Sequence, residues 1–519
     1  MQTKRAALCA ALLWFTSAAL AAAQDITLTS RDGQVEISGT FLGFDGEFYR
    51  LQTPYGELTI DSSGVRCEGP ACPNLKDFVA ELAISGSATM GAVLMPALIE
   101  GFARQAGLET RREDQDAAHF RYSLWEEQNA ALVGQFAFRL TNANEGFADL
   151  LANEADIVMS LREISQNENL RAVEAGMGDL KAANRSHVLA LDAVVPIVSP
   201  GNPVRDISPK VLAQVISGQI TNWRDLGGAD AEIDVYVPAD DTGLGQAVAD
   251  QVLKPVTLEV AERARRLGTG QQIADVVRRD PFGLGITSFA EIGSAQPLTL
   301  TGTCGRTLRA TRRSIKTEDY PLTSPMFLYT PARRLPQVAR AFLAYVRTPE
   351  AQVVIRRAGF VDQAPEQISI DAQGDRFANA ISAAGPEVPL AELQRMTETL
   401  DGMERLTTSF RFEAGSVQLD AQSRANVEQL AARLEQGRYD GRQLLLVGFS
   451  DGEGPAPANR AIALDRAVAV RAAIETAAEA VDLTRVSLDV DAFGEAMPMA
   501  CDDSAWGRLV NRRVEVWVR

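Results

Sequence analysis

Two opposite charges near the C-terminus have the spacing of a ligand clamp. Asp451 follows an apolar segment typical of a strand, and Arg466 lies fifteen positions later in a segment of helical composition. An aspartate at a strand end and an arginine on the next helix can each make a charge-assisted hydrogen bond to one ligand. The pair therefore suits a ligand that carries both an ammonium and a carboxylate. The alternative is that Asp451 caps the turn before the helix and that Arg466 makes a surface ion pair.

A second candidate site lies at residues 85–90, where Ser-Gly-Ser-Ala-Thr-Met joins a predicted strand to a predicted helix. Glycine lets the backbone approach a ligand, and the hydroxyl groups donate hydrogen bonds. A helix N-terminus adds free N–H groups and the positive end of its dipole. The segment is therefore a candidate anion site, although a simple helix cap would have the same composition.

Composition limits the classes of function. The chain has 519 residues, a formal net charge of −17 and two histidines, His119 and His187. This acidity argues against nucleic acid as a partner. No paired carboxylates lie beside a nucleophile, and neither histidine lies near a cysteine. We therefore expect neither an enzyme nor a site for a metal or cofactor.

The N-terminus has the pattern of a secretory signal peptide over residues 1–23. Lys4 and Arg5 precede an apolar run, and three alanines at 21–23 form a small-residue cleavage site. The apolar run is shorter than the roughly 20 residues that span a membrane, although a membrane anchor is the alternative. We therefore expect a cleaved protein that does not span the membrane and lies in the periplasm.

Four cysteines follow the predicted signal: Cys67, Cys72, Cys304 and Cys501. In an oxidising compartment an even number favours disulfides. Cys67 and Cys72 flank a Gly-Pro turn, which makes a local bridge geometrically easy. Cys304 and Cys501 either pair between domains or stay free.

Hydrophobic patterns divide the rest of the chain into four regions. Residues 25–75 alternate in short runs, which predicts a small module of four or five β-strands. Residues 76–376 alternate strand and helix patterns, which predicts an α/β region with a mostly parallel sheet. Residues 377–405 are predicted to be a linker with a short helix whose pattern runs over 390–407. Residues 406–519 are predicted to be a second α/β domain.

Segments of the middle region resemble the periplasmic phosphate-binding proteins of ABC transporters. They are 85–100, 155–163, 196–203 with 211–223, and 320–322 with 342–346. The resemblance implies a type II periplasmic binding protein fold, in which two lobes close on a ligand by a hinge. The cleft residues that follow from it are Ser87, Ala88, Thr89, Met90, Thr141, Asn142, Ser160, Arg162, Asp241, Thr242 and Gly243.

The third loop of this cleft departs from the family pattern, which has an arginine followed four positions later by Ser-Gly-Thr. Pro238, Thr242 and Leu244 stand in place of the arginine, serine and threonine. Asp240 and its neighbour add negative charge, which leaves Arg162 to compensate a bound oxyanion. Three outcomes stay open. They are phosphate recognised through a carboxylate, another small anionic or polar solute, including one with a cationic or hydroxyl group, and a retained shell that binds nothing.

Several C-terminal motifs occur in the order and spacing of the OmpA-like peptidoglycan-binding domain. They are Gly-Phe-Ser-Asp at 448–451, Asn459, Asp-Arg-Ala at 465–467 and Asn-Arg-Arg-Val-Glu-Val at 511–516. The first strand of this domain is predicted to open at Phe410. The resemblance implies binding of the diaminopimelate residue in the peptidoglycan stem peptide. Asp451 would bind its ammonium and Arg466 its carboxylate. Asn459 would shape the loop of the site, and Arg512 would lie at its rim.

Together these resemblances predict a periplasmic solute- or oxyanion-binding protein, possessing an α/β multidomain fold with a small N-terminal β module. It would be anchored non-covalently to peptidoglycan on the outer-membrane side of the envelope, with an ABC permease as the partner if it feeds a transporter. The alternative is an envelope scaffold or sensor. In that case the binding-protein domain has a degenerate cleft and contacts another protein or a wall fragment.

Overall fold

The protein is described by a computed structural model. It covers residues 25–75, 78–128, 130–182, 184–413, 415–480, 482 and 484–519. The predicted signal peptide at 1–23 lies outside these described residues. None of the described helices combines the length and apolar character of a membrane span. The chain divides into two compact units, Met1–Ala80 and Glu81–Arg519.

The first unit is an antiparallel five-stranded sheet, which confirms the prediction of four or five strands. Its strands are β1 (Asp25–Ser30), β2 (Glu36–Phe44), β3 (Phe48–Thr53), β4 (Gly56–Asp61) and β5 (Val65–Glu68). They pair in the order β4-β3-β2-β1-β5. Alternating residues such as Leu28 and Leu51 fill a small core. A disulfide between Cys67 and Cys72 fixes the end of β5, where a core of this size offers few apolar contacts.

The remaining strands and helices follow in chain order. The strands are β6 (Ala80–Ser87), β7 (Leu108–Asp114), β8 (His119–Glu126), β9 (Leu132–Thr141), β10 (Ile157–Ser160), β11 (Ser186–Val198), β12 (Asp206–Ile207), β13 (Asp234–Pro238), β14 (Arg265–Leu267), β15 (Gly283–Ser288), β16 (Gln296–Pro297), β17 (Thr299–Thr301), β18 (Thr307–Leu308), β19 (Thr323–Tyr329), β20 (Gln367–Ile368), β21 (Glu404–Phe410), β22 (Gln443–Phe449), β23 (Ser487–Gly494) and β24 (Arg513–Val518). The helices are α1 (Met95–Ala106), α2 (Ala143–Leu151), α3 (Gln166–Glu174), α4 (Pro209–Ile216), α5 (Gly243–Val248), α6 (Gly270–Val277), α7 (Arg312–Lys316), α8 (Gln337–Tyr345), α9 (Pro349–Arg357), α10 (Gly374–Ala383), α11 (Leu390–Leu400), α12 (Ala421–Glu435), α13 (Ala456–Ala477) and α14 (Ala505–Asn511).

The long strand β11 connects two halves of an eleven-stranded sheet. Its residues 186–193 pair with β19, and residues 194–198 pair with β15. On one side the order continues as β19-β10-β6-β9-β8-β7, and on the other side as β15-β13-β14. We call these halves, with their helices, the first and second lobes. The arrangement confirms the two-lobed fold that the resemblance implied.

The prediction of a mostly parallel sheet is wrong, because the sheet is mixed. β10 runs parallel to β6, and β13 runs parallel to β14 and β15. In contrast, β7, β8 and β9 pair antiparallel, and β11 pairs antiparallel with both β15 and β19. Three consecutive strands without a helix between them must be joined by tight turns, which requires antiparallel neighbours.

The C-terminal residues form another mixed sheet in the order β20-β21-β24-β22-β23. Helices α12 and α13 cover one face, and α10 and α11 contribute to the apolar cluster on the other. The helix predicted over 390–407 ends at Leu400. The strand predicted to open at Phe410 instead ends there, having begun at Glu404. Polar residues at Arg405 and Thr407 concealed this strand, although both are buried.

We call β20–β24 with α10–α14 the C-terminal module, and it packs against both lobes. Arg424 of α12 pairs with Glu163 of the first lobe at 2.6 Å. Trp506 of α14 lies in the apolar core of the second lobe, and its Nε1 donates to the carbonyl of Gln251 at 2.7 Å. The module therefore packs directly on both lobes, in addition to being joined to them by the chain.

A disulfide adds a covalent link between the C-terminal module and the second lobe. It joins Cys304 to Cys501, which lie 197 residues apart in the chain. Beside it, Thr303 Oγ1 donates to Asp503 Oδ2 at 2.6 Å. Of the two alternatives for these cysteines, the structure therefore shows the inter-domain bridge.

A buried group of charges lies at the same interface. Arg405 of β21 donates to Asp319 of the second lobe at 2.8 Å, and its Nε lies 3.4 Å from Glu515 Oε2. Glu515 also pairs with Arg513 at 2.7 Å and with Arg376 at 2.5 Å. Burial alone would raise the pKa of Glu515, but the surrounding arginines hold it below its usual range. Each charge is therefore kept ionised by its neighbours.

Replacing Arg405 with methionine should destabilise the protein strongly. The change leaves Asp319 and Glu515 buried with fewer cations, and breaking one side of a buried ion pair costs about 3–5 kcal/mol. We expect a loss of this size in the free energy of unfolding, measured by urea denaturation with tryptophan fluorescence.

The matched control is Arg224→Met, which removes an exposed ion pair to Asp230. Exposed pairs contribute about 0–1 kcal/mol. Equal losses in the two variants would contradict the role assigned to the buried charges.

Glu318 adjoins this group but is not paired with it. Its backbone has a φ of 55°, and its Oε1 is buried with no hydrogen-bond partner among the described residues. Arg411 donates to the backbone carbonyl of Glu318 at 2.8 Å. Burial raises the pKa of the Glu318 carboxyl to about 8, and the charge of Asp420 adds to this effect while Arg411 opposes it.

This raised pKa predicts a pH dependence of stability. Between the ordinary value of 4.5 and about 8, the folded protein holds a proton on Glu318 that the unfolded chain releases. The contribution of Glu318 to stability is therefore complete below pH 4.5 and decreases as the pH rises, by up to about 1.4 kcal/mol per pH unit. Glu318→Gln should remove this component, so that the variant loses less stability than the natural chain across the range. Urea denaturation at several pH values measures it, and identical slopes in both proteins would rule it out.

Candidate functional site

The candidate anion segment begins where β6 ends. Ser87 is the last residue of β6, and Met90 opens a π-helical turn that runs into α1. Gly86 has a φ of 122°, and a Cβ at this position would lie 2.1 Å from the carbonyl oxygen of Met159. Glycine is therefore required for β6 to approach β10 so closely. This approach fixes where Ser87 and the predicted residues Ala88, Thr89 and Met90 lie.

The two lobes touch at Ser87. A Cβ built on Gly243, the first residue of α5, would lie 2.8 Å from Ser87 Oγ and 3.3 Å from Leu161 Cδ1. Asn142 Nδ2 also crosses the cleft and donates to the carbonyl of Asp241 at 3.0 Å. Groups that bind an oxyanion from opposite sides must lie about 5–6 Å apart, twice a hydrogen-bond length. The predicted residues are thus brought together, but Ser87 and Gly243 leave no room for an oxyanion between them.

The polar side chains of the cleft bond mainly to the protein itself. Thr242 caps α5, and Asn142 caps α2. Ser160 Oγ donates to the carbonyl of Arg162 at 2.7 Å, and Thr141 Oγ1 donates to the carbonyl of Asn142 at 3.3 Å. The bonds of Thr242 and Asn142 are helix caps, whereas those of Ser160 and Thr141 go to nearby backbone carbonyls. In the segment 85–90, for which a helix cap was the alternative, Thr89 makes no side-chain cap bond.

Arg162, the expected cation of the cleft, is paired with the protein. Its guanidinium donates to both oxygens of Glu168, at 2.7 and 2.9 Å, and to Asn144 Oδ1 at 2.6 Å. Asp240 was expected to oppose Arg162 but pairs with Arg266 at 3.0 Å. Glu168 therefore already neutralises the positive charge of Arg162 that an oxyanion would need. A groove of about 910 Å³ lies alongside and is lined by these same charged residues.

The C-terminal clamp depends on a close approach of helix and strand. A Cβ on Gly448 of β22 would lie 2.0 Å from the carbonyl oxygen of Ala463 in α13. The absence of a side chain at Gly448 lets α13 lie directly on β22. Asp451 follows the end of this strand, and Arg466 lies about one helical turn beyond Ala463. The close contact therefore holds the two charges near each other.

Arg466 is buried, with an exposed fraction of 6%. Its Nε has no hydrogen-bond partner, and no ion pair to its guanidinium is found among the described residues. The guanidinium carbon lies 5.2 Å from the ring centre of Phe412. Burial lowers the pKa of Arg466, the nearby Arg512 lowers it further, and Asp451 opposes both. Within the described part of the chain, no carboxylate is in contact with this cation.

The other predicted residues surround the same loop. Asp451 Oδ2 lies 3.2 Å from Arg512 Nε, and Asp451 Oδ1 accepts from the backbone N–H of Glu453 at 3.2 Å. Asn459 Nδ2 donates to Glu495 Oε2 at 2.7 Å. Asp451, Asn459, Arg466 and Arg512 are thus gathered in one place, as the motif order predicted. Their roles in binding stay predictions.

The sequence did not indicate Glu495 or Asp502, which complete this region. Asn511 is fully buried, and its Nδ2 donates to Asp502 Oδ1 at 2.7 Å. Asp502 Oδ2 in turn accepts from the backbone N–H of Gly452 at 2.9 Å. The two carboxylates add negative charge around the position where an ammonium would lie. Neither residue belongs to a periodic sequence pattern, so only their closeness to the site in the folded chain identifies them.

Family models match most of the second unit. Residues 79–350, more than half of the chain, match the model of the PBP superfamily domain, and the chain therefore belongs to this superfamily. Residues 411–512 match the model of the OmpA family. The protein thus combines a PBP-superfamily domain with a C-terminal OmpA-like domain, as the sequence predicted.

Individual relatives are distant. The phosphate-binding protein PstS of Bacillus subtilis is 22% identical over 241 residues, which cover 44% of this chain and 75% of that protein. The solved structure of an ABC-type phosphate transport receptor from Vibrio cholerae is 20% identical, with a TM-score of 0.41 over 54% of this chain and 99% of that one. The peptidoglycan-associated lipoprotein from Burkholderia pseudomallei is 25% identical, with a TM-score of 0.19 over 21% of this chain and 89% of that one.

Proposed function

We propose that this protein lies in the periplasm and is held non-covalently on peptidoglycan by its OmpA-like domain. The observation that carries the proposal is the largely buried guanidinium of Arg466, which has no anion in contact among the described residues. Removing part of a charge from water without a partner carries a desolvation cost. A ligand carboxylate would remove this cost and would explain why the cation is there.

Diaminopimelate in the stem peptide has the required chemistry. Its carboxylate would bind Arg466, and its ammonium would bind Asp451, where Glu495 and Asp502 add negative charge. Arg512 already contacts Asp451 at 3.2 Å and so lies within reach of the same ligand carboxylate. The name of the peptidoglycan-associated relative is consistent with this ligand.

Removing the clamp should abolish wall binding without unfolding the protein. In Arg466→Met the unpaired buried cation is replaced by an apolar side chain of similar length, so we expect the melting temperature to stay or rise. We expect at least about a tenfold loss of binding to purified peptidoglycan, since a charge-assisted bond contributes about 1.5–3 kcal/mol. Asp451→Asn should lose binding in the same co-sedimentation measurement.

Arg471→Met is the matched control, since Arg471 lies on the same helix but is partly exposed and pairs with Glu475. This variant should bind peptidoglycan as the natural chain does. Undiminished binding by both Arg466→Met and Asp451→Asn would refute the assigned site.

For the PBP-superfamily domain, we propose a role as an envelope scaffold or sensor. Two observations support this role. Ser87 and Gly243 leave no room for an oxyanion, and Glu168 already pairs with Arg162. A closed domain that is docked on the wall-binding module would present a fixed surface to another protein or a wall fragment.

The second candidate is a periplasmic binding protein for a small anionic or polar solute, with an ABC permease as its partner. The convergence of Ser87, Asn142 and Thr242 across the cleft favours it, because two of these residues lie at helix N-termini. The distant relative from Bacillus subtilis is named as a phosphate-binding protein.

Thermal unfolding with inorganic phosphate separates the two candidates. The scaffold role predicts no dose-dependent rise in melting temperature with phosphate or sulfate, because a ligand stabilises only the state that it binds. A rise that Thr242→Val removes would favour the solute-binding role and assign it to this cleft. Arg466→Met provides the control, since the wall clamp lies outside the cleft and should not change the result.

A further inference from the structure

A short segment of the C-terminal module contacts both the second lobe and the loop at 451–454, which carries Asp451 of the wall clamp. The segment spans residues 500–512 and consists of a loop followed by α14. We call residues 451–454 the clamp loop and residues 500–512 the linking segment. Its contacts to the lobe and to the clamp loop alternate along the chain.

Three contacts fix the linking segment on the second lobe. Cys501 forms the disulfide to Cys304. Asp503 Oδ2 accepts hydrogen bonds from the backbone N–H and from the Oγ1 of Thr303, each at 2.6 Å. Farther along the segment, the indole of Trp506 lies in the apolar core of the same lobe. A covalent bond, a carboxylate and an apolar side chain thus attach the segment to this lobe.

Two contacts of the same segment reach the clamp loop. Asp502 Oδ2 accepts a hydrogen bond from the backbone N–H of Gly452 at 2.9 Å, and Arg512 Nε lies 3.2 Å from Asp451 Oδ2. The other oxygen of Asp502 accepts from Nδ2 of the buried Asn511 at 2.7 Å. Both oxygens of Asp502 are therefore bonded, and one of these bonds holds the backbone directly after Asp451.

Asp502 lies between two residues that are anchored on the second lobe. Consecutive Cα atoms are about 3.8 Å apart, so displacement of Cys501 or Asp503 also displaces the Asp502 carboxylate. A hydrogen bond weakens steeply when its angle changes, and the bond to Gly452 is exposed to any such displacement. Burial lowers the pKa of Arg306 in the second lobe, and the charge of Asp502 opposes this effect. The carboxylate therefore also interacts with a cation of that lobe.

We propose that the second lobe positions the wall clamp through the linking segment, with Asp502 as the positioning residue. This inference rests on the proposed binding of peptidoglycan. Cys501 and Asp503 fix the place of Asp502, which in turn holds Gly452 and the loop that carries Asp451. Binding groups must be held within about 0.5 Å of their productive position to act well. Full affinity for the wall therefore requires contacts from the PBP-superfamily domain, in addition to the residues that match the OmpA family.

Co-sedimentation of the full chain with purified peptidoglycan tests the proposal. The double variant Cys304→Ser with Cys501→Ser removes the inter-domain bridge and should weaken binding at least about threefold, within the range that a single hydrogen bond contributes. Asp503→Ala removes the acceptor of Thr303 and should weaken binding by a similar factor. Asp503 is exposed, so this second variant tests the same link with little risk to the fold.

The matched control is the double variant Cys67→Ser with Cys72→Ser, which removes the disulfide of the first unit. It should bind peptidoglycan as the natural chain does.

Hydrogen exchange of the Gly452 amide, followed by mass spectrometry well below the unfolding temperature, is the second measurement. Its N–H is protected by the bond to Asp502, so the Cys304→Ser with Cys501→Ser variant should exchange it at least about threefold faster. The amides inside β22 should keep their rates. A bridge that only stabilised the fold would not single out this one amide.

The outcomes separate a failure of this inference from a failure of the wall site. Undiminished binding by both the Cys304→Ser with Cys501→Ser variant and Asp503→Ala, while Arg466→Met loses binding, would overturn the positioning role and leave the wall site in place. Weaker binding with unchanged exchange at Gly452 would also overturn it, since the effect would then bypass Asp502. Undiminished binding by Arg466→Met itself would refute the wall site and the positioning role with it.

Discussion

The ion pair between Arg405 and Asp319 is the interaction on which the second unit depends. It joins the C-terminal sheet to the second lobe with both partners buried, so the loss of either charge leaves the other uncompensated in an apolar environment. Glu515 extends the pair through the centre of the C-terminal sheet. For this reason the OmpA-like domain and the PBP-superfamily domain share an interior, although each belongs to a family that is defined without the other.

This shared interior changes how the two sites relate to each other. In the cleft between the lobes, side chains that a family pattern would offer to an anion bond instead to their own backbone or to Glu168. In the C-terminal module Asp451 and Asn459 are likewise bonded to the protein, whereas Arg466 has no anion in contact among the described residues. The two arginines therefore differ in whether a protein carboxylate pairs with them, although they are the same residue type.

Local sequence patterns predicted the parts of this structure that depend on residues close together in the sequence. The small N-terminal β module and the disulfide between Cys67 and Cys72 occur as the sequence indicated. The residues of the C-terminal motifs also lie close together, as their order and spacing indicated, while their roles stay predictions. In contrast, the bounds of β21 were predicted wrongly. Arg405 makes this strand resemble a surface segment, and Asp319, with which Arg405 pairs, is distant in the sequence. The pairing of Arg162 with Glu168 could have been predicted from the sequence, because Ser165 and Glu168 form a capping box that places the carboxylate near Arg162.

The disulfide between Cys304 and Cys501 has a consequence for how the protein withstands proteolysis. The bridge encloses almost two hundred residues, including the segment that connects the two domains. A protease that cuts the backbone once anywhere inside this loop leaves both fragments covalently joined. The C-terminal module therefore stays with the lobes after a single cut, and their separation requires both cleavage and reduction.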